Sequence, residues 1–410
     1  MIRSRSSAAA TVIVPVILSV FLWGSLVTSG RVMERFKTRQ DERMIRRHRA
    51  RVLREMNGTT GDELPPTVNL LRISRDDGVV GSNSSQVATA AKTSRNNEDY
   101  PDMVIDESDI AEAALGQRFR YFANRRSTLF EQNVIFRFYH NGNKTKTTAL
   151  SAGSLLSGTD CSTTEKFAII AHGWHENCYE TFWVKDLQDN LNVYRGGCII
   201  CMDYSTFASN GYTYLFRRFN DLSAVLLKFI RTLQYEGVSL DNLYMFGFSF
   251  GAQLALDAGN QVGFNLIEAI DTCDMAGPGF DADRFFKGVN FRGAAKNVQC
   301  IHTSTDKGTK MTNKCHQNWR MGQCGFFQLG AGKPPLGSHG LCPVYYNLAF
   351  KENFYAQEKP GECGVLRDPT ADYPTNFKMG YMERRKSQVR GELFAQTSNH
   401  YPFALGNELF

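Results

Sequence analysis

Between Phe167 and Ile301 short apolar runs take turns with longer helical patterns, and no other feature of the chain narrows its fold as far. The strand candidates are 167–171, 198–202, 243–246, 266–270 and 298–301. A further strand over 134–138 runs into the turn residues Asn141-Gly142-Asn143. The helical patterns cover roughly 180–194, 213–236 and 250–262. Parallel strands need long crossovers, and a helix in each crossover covers a face of the sheet. Strands buried on both faces read as continuous apolar runs, as FAII and LYMF do here. The expected class is α/β, with a mostly parallel central sheet and helices on both faces. In such sheets reactive groups gather at the carboxyl ends of the strands.

The 410 residues are enough for a sizeable core, and their net charge is +6. That charge is local. Residues 1–56 hold twelve Lys/Arg against four Asp/Glu, so the remainder is slightly acidic, which argues against a nucleic-acid partner. Residues 8–27 carry no charge and are long enough to span a bilayer, so residues 1–30 are expected to be a signal anchor or a cleaved signal peptide. Residues 31–117 read as a basic stalk followed by a polar, loosely ordered linker, and 118–410 as the globular domain. Ten basic residues between Arg31 and Arg54 would favour a cytoplasmic side by the positive-inside rule. Ten cysteines and sequons at Asn57, Asn83 and Asn143 favour the secretory route instead. The expected location is extracellular, secreted or tethered with the domain outside.

At the centre of the alternation lies Gly247-Phe248-Ser249-Phe250-Gly251, with the run Leu243–Phe246 before it and the helix formers 252–258 after it. A serine on so tight a strand-to-helix turn needs glycines on either side, and the following helix aims free N–H groups at developing negative charge. A serine hydroxyl is a poor nucleophile without a base, and the base needs an orienting carboxylate. After the 266–270 run come two carboxylates, Asp271 and Asp274, and then His302, His316, His339 and His400. His339, in Gly-Ser-His-Gly, occupies a loop able to fold back over the sheet. His302 ends a strand and reads as packing. The second oxyanion donor is expected after an earlier strand, where Ala171-His172-Gly173-Trp174 puts the Trp174 N–H beside that of Phe250. His172, His175 and Glu176 have no metal-ligand spacing, so neither a metal nor a cofactor is expected.

The stretches AHGW, CMDYS, GFSFGAQ, CDMAGPGF, IHTS, GSHGL and RGELFAQTSNHYPFALG occur in order between Arg118 and Gly406. Together they resemble the pancreatic-lipase-like family of animal α/β-hydrolases, including its insect members and phospholipases A1. The resemblance implies an α/β-hydrolase fold and a lipid carboxylic ester hydrolase. The Ala-Gly-Pro turn selects Asp274 as the acid, the Tyr-rich helix after it supports His339 as the base, and Ser249 is the nucleophile. Trp174 and Phe250 match the oxyanion donors, and Asp203 matches a structural aspartate. The implied partner is a lipid ester at a membrane or lipid-droplet surface.

The departures are local. Phe248, Phe250 and Gln253 stand where the family has His, Leu and His, and Met275 stands for Pro. Ser338, Leu341 and Cys342 replace the family's residues around the histidine. The space of the lid holds only residues 329–337, which resembles the phospholipase-like members, and the sequence ends at Phe410 without the C-terminal β-sandwich of longer ones. Spacing alone does not determine cysteine pairing; Cys342–Cys363 and Cys315–Cys324 are the expected pairs. Two other functions remain open: a catalytically silent lipid-binding or storage protein on this scaffold, as in insect yolk proteins, and a membrane-tethered adhesion or signalling ectodomain.

Overall fold

The computed structural model describes residues 128–150, 153–281, 290–310, 315–332, 337–363 and 369–405. The N-terminal apolar segment, the basic stretch and the sequons at Asn57 and Asn83 lie outside them. Nine strands form one sheet in the order β2-β1-β4-β3-β5-β6-β7-β8-β9. β1 (Ile135–His140) and β2 (Asn143–Ala149) make the hairpin, and β1 also runs antiparallel to β4 (Cys198–Asp203). From β4 onward every pairing is parallel: β3 (Phe167–Ala171), β5 (Leu243–Phe248), β6 (Ala269–Cys273), β7 (Asn297–His302), β8 (Gln317–Met321) and β9 (Gly391–Ala395).

The two-residue period of the strands divides the core. Phe167, Ile169, Leu243 and Met245 face one apolar cluster; Ala168, Ile170, Tyr244 and Phe246 face the other. Helices α2 (Phe219–Tyr235) and α3 (Phe250–Val262) cover the first face through Leu222, Leu226, Leu254 and Leu256. Helices α1 (Phe182–Tyr194) and α4 (Gly337–Leu348) cover the second through Trp183, Leu187, Leu341 and Tyr345. Among the described residues no helix is long and apolar enough to cross a membrane.

Three expectations need correction. The 213–236 pattern is two helices, Tyr212–Arg217 and α2, broken at Arg218. The sixth strand begins at Ala269 rather than Leu266, whose side chain is exposed, so Asp271 lies inside β6 instead of after it. Neither expected disulfide forms. Cys342 pairs with Cys273, Cys363 with Cys324, and Cys315 with Cys300, while Cys161–Cys198 and Cys178–Cys201 complete five bonds. The packing of loops against strands and the α4–β6 contact, rather than sequence separation, decide which sulfurs meet.

His316, before β8, is structural: its Nδ1 accepts the Val298 N–H at 2.9 Å. Burial, with Arg390 and Arg292 nearby, pushes this imidazole down to about 4. The unfolded chain binds a proton near pH 6.5 and the folded one resists until about pH 4, so stability is lost as pH falls through that window. His316→Asn, which keeps an acceptor near Nδ1 but cannot titrate, is expected to flatten the decline in melting temperature between those limits. A melting curve as steep as the native one would show that other groups dominate.

Candidate active site

Ser249 joins β5 to α3 with φ 54° and ψ −118°, a left-handed conformation costly for a residue with a Cβ. The flanking glycines make that bend possible. A Cβ on Gly247 would stand 2.5 Å from Ala252 Cα, and one on Gly251 would run into the Ala171 and His172 carbonyl oxygens. The elbow therefore rests on the end of β3, from which Gly173 and Trp174 lead away. The Ser249 carbonyl accepts the Ala276 N–H at 3.1 Å and its own N–H donates to Cys273 at 3.0 Å, so the bend is also sewn to the end of β6.

Three distant residues converge here. His339 Nε2 lies 2.9 Å from Ser249 Oγ, and its Nδ1 lies 2.6 Å from Asp274 Oδ2. Asp274 follows β6 directly, fully buried, with φ 36°. His339 opens α4, where Ser338 Oγ accepts the Gln328 N–H at 2.9 Å. The Cys273–Cys342 disulfide joins the residue before Asp274 to the helix that carries His339, and so clamps the two side chains' supports together.

Asp271 is placed elsewhere. Its Oδ2 accepts the Tyr346 hydroxyl at 2.5 Å and the Tyr244 hydroxyl at 3.3 Å, and Lys386 Nζ stands 3.2 Å away. Burial and then the Asp271 charge push both phenols well above their ordinary range. Of the remaining histidines, His302 is buried at the end of β7 and held well below its ordinary pKa by burial and Arg320, while His400 is on the surface.

The loop after β3 is held from three sides. Glu176 accepts the Gly173 N–H at 2.6 Å and the Trp183 indole N–H at 2.8 Å. Burial raises its pKa against those two bonds. The Trp174 indole donates to the Asn210 carbonyl at 2.7 Å, and the His175 N–H donates to Ala208 at 3.0 Å. Beneath it, His172 is wholly buried, stacked on Tyr204 at 4.1 Å. Burial would raise the Asp203 carboxyl, but bonds from His172 and Ser205 prevail and hold it well below the usual carboxylate range; Arg137 Nε adds a bond at 2.9 Å. Among the described residues His172, Cys178 and Asp203 cluster closely enough to hold a metal, but Cys178 is tied up in its disulfide.

Phe250 is the first residue of α3, so its N–H is one of the four that no helical carbonyl can satisfy. Its ring is buried in an aromatic cluster, 5.6 Å from Phe219, 5.8 Å from Phe280 and 6.3 Å from Tyr212. The unusual elbow residues have partners too. The Phe248 ring lies 4.8 Å from that of His339 and 5.7 Å from Trp183, and Gln253 Nε2 donates to the Ala276 carbonyl at 2.8 Å. Sequence reasoning gave no role to Ser304, Gly308 or Cys273 and weighed Glu176 only as a metal ligand. Cys273 could have been flagged by its place next to the acid; a buried serine leaves no such signal.

A mostly parallel sheet with a serine at the sharp β5–α3 turn, met by an aspartate from the end of β6 and a histidine from the start of α4, defines the α/β-hydrolase fold. The Lipase family model matches residues 100–342, more than half of the chain, and the chain belongs to that family. Lipase member H of Rattus norvegicus is 28% identical over 148 residues, which cover 35% of this chain and 32% of that protein. Pancreatic triacylglycerol lipase of Mus musculus is 27% identical over 150 residues, 36% of this chain and 32% of that one. The chain thus spans about a third of the length of these curated relatives. Among solved structures esterase PE8 covers 34% of this chain and 68% of its own at 17% identity, with a TM-score of 0.26, a likeness too slight to carry an argument.

Proposed function

We propose that this protein hydrolyses carboxylic esters of lipids, in the manner of a lipase or phospholipase A1. One observation carries the proposal: a single imidazole stands 2.9 Å from a strained serine hydroxyl and 2.6 Å from a buried carboxylate. His339 Nε2 takes the Ser249 proton as Oγ attacks the acyl carbon, and the carbonyl electrons move onto oxygen. The Trp174 and Phe250 amides stabilise that oxyanion; losing one such donor typically costs on the order of 10²–10³ in turnover. The intermediate collapses, and the leaving alcohol takes the proton from His339. Water, deprotonated by the same imidazole, then attacks the acyl-serine; the acyl–Oγ bond breaks, His339 returns the proton to Ser249 Oγ, and a fatty acid leaves. Asp274 holds Nδ1–H throughout and stabilises the charged ring.

Family membership supports a lipid acyl group as substrate. The few residues between Leu329 and Gly337 favour a phospholipid over a triglyceride, because a long cover over an apolar site has no room there; residues 333–336 lie outside the described ones. Five disulfides fit the secretory route, secreted or tethered outside the cell.

The test is covalent labelling with a fluorophosphonate probe. The native protein is expected to label and Ser249→Ala to lose the label at unchanged melting temperature. A folded native protein that binds lipid vesicles without labelling would instead be the silent lipid binder.

A further inference from the structure

Asp274 is held by more than the histidine it faces. Its Oδ1 accepts the Thr303 N–H at 2.8 Å and the Ser304 N–H at 3.1 Å. Its Oδ2, besides meeting His339, accepts the Ser304 hydroxyl at 2.5 Å. Ser304 is fully buried, and its Oγ accepts the Gly308 N–H at 3.1 Å. A hydroxyl has one proton. With the Gly308 amide directed at Oγ, that proton is committed to the carboxylate, so hydrogen bonds run in one direction from Gly308 through Ser304 to Asp274. The loop has no room to rearrange. A Cβ on Gly308 would stand 2.6 Å from both carboxylate oxygens, and Gly277 and Thr309 tie the two loops together by backbone bonds of 2.9 and 2.8 Å.

We propose that Ser304 is a positioning residue for ester hydrolysis: its hydroxyl sets how strongly Asp274 supports the protonated form of His339. This rests on the reading of Ser249, His339 and Asp274 as the reacting groups. A hydrogen bond donated to a carboxylate draws charge from it and lowers its basicity. In the native protein the hydroxyl and the imidazole share Oδ2. Without the hydroxyl that oxygen faces the imidazole alone, so it attracts the imidazolium more strongly while losing a fixed direction. His339 should then hold its proton to higher pH, and fewer molecules carry a free base at a given acidity.

The expected result for Ser304→Ala is an acid limb of kcat/KM displaced upward by about half to one pH unit, with kcat reduced about tenfold and KM unchanged. Asp274 faces His339 directly, and Glu176, from the loop after β3, interacts with it electrostatically; Glu176 is the same in both proteins, so its effect cancels in the comparison. Ser304→Thr, which keeps the hydroxyl, should restore the native limb. A residue that only filled space would change stability or kcat and leave the limb where it is. The idea fails if the alanine limb coincides with the native one, or if the threonine variant shifts as the alanine variant does. Should neither variant fold, the native protein decides by proton NMR. The Ser304 hydroxyl is then expected as a slowly exchanging low-field proton that moves with the His339 Nδ1 proton across the acid limb. Its absence from a spectrum that shows the His339 proton would overturn the proposal. Loss of the triad itself would appear differently, as native protein that neither labels with fluorophosphonate nor turns over ester.

Discussion

Asp274→Asn should lower ester turnover by about 10⁴-fold while the chain still folds, with a reduced melting temperature because the buried Ser304 hydroxyl loses its acceptor at Oδ2. The geometry dictates the direction of the amide. The Thr303 and Ser304 amides donate to Oδ1, so the asparagine carbonyl must take that place and its NH₂ must occupy the place of Oδ2. There it presents hydrogens to His339 Nδ1. The imidazole answers with a lone pair on Nδ1 and a hydrogen on Nε2, aimed at Ser249. A base in that tautomer cannot accept the serine proton. Steady-state rates on a soluble short-chain ester, alongside a thermal melt, check both halves. A variant that keeps a tenth of native turnover would remove Asp274 from the mechanism.

The opposite pattern is expected three residues earlier. Asp271→Ala leaves the hydrogen-bonded Tyr244–Tyr346 hydroxyl pair without an acceptor for its remaining proton and strands the Lys386 ammonium, whose side chain is only 12% exposed. Breaking a buried hydrogen-bonded charge pair costs about 3–5 kcal/mol, enough to remove a large part of the stability of an ordinary domain. Tyr346 is on the same helix as His339, so the damage reaches the site through α4, not through the reacting atoms. Turnover measured well below the new melting temperature should stay within about tenfold of native, since the two sites share no partner. Chemical denaturation gives the stability. The two carboxylates are thus expected to separate by their main effect, Asp274 acting chiefly on rate and Asp271 chiefly on stability.

That separation also shows where the chain can be read and where it cannot. Apolar runs buried on both faces announce themselves: 167–171 coincides with β3, and the 250–262 pattern coincides with α3. β8 and β9 have the sequences QNWRM and GELFA, whose polar residues find partners only in the fold, such as Arg320 with Glu392 at 2.8 Å, and no periodicity marks them as strands. The same cause displaced the sixth strand. Asp271 looks like the end of an apolar run until Tyr244, Tyr346 and Lys386 are seen to bury it. Once Asp271 lies within β6, Asp274 is the residue at the carboxyl end of the strand, and strand position alone distinguishes the two. The serine elbow was legible because its glycines answer a local steric demand. The disulfides and the Ser304 bond were not, because they depend on contacts between segments that only the tertiary fold brings together.

The most direct measurement is rapid-quench mass spectrometry of the protein mixed with a p-nitrophenyl acyl ester at low pH, where deacylation is slow. The expected result is one acyl group per chain, located on the peptide containing Ser249. Turnover of the ester with the acyl group on another residue, or with none trapped while His339→Ala remains fully active, would contradict the mechanism.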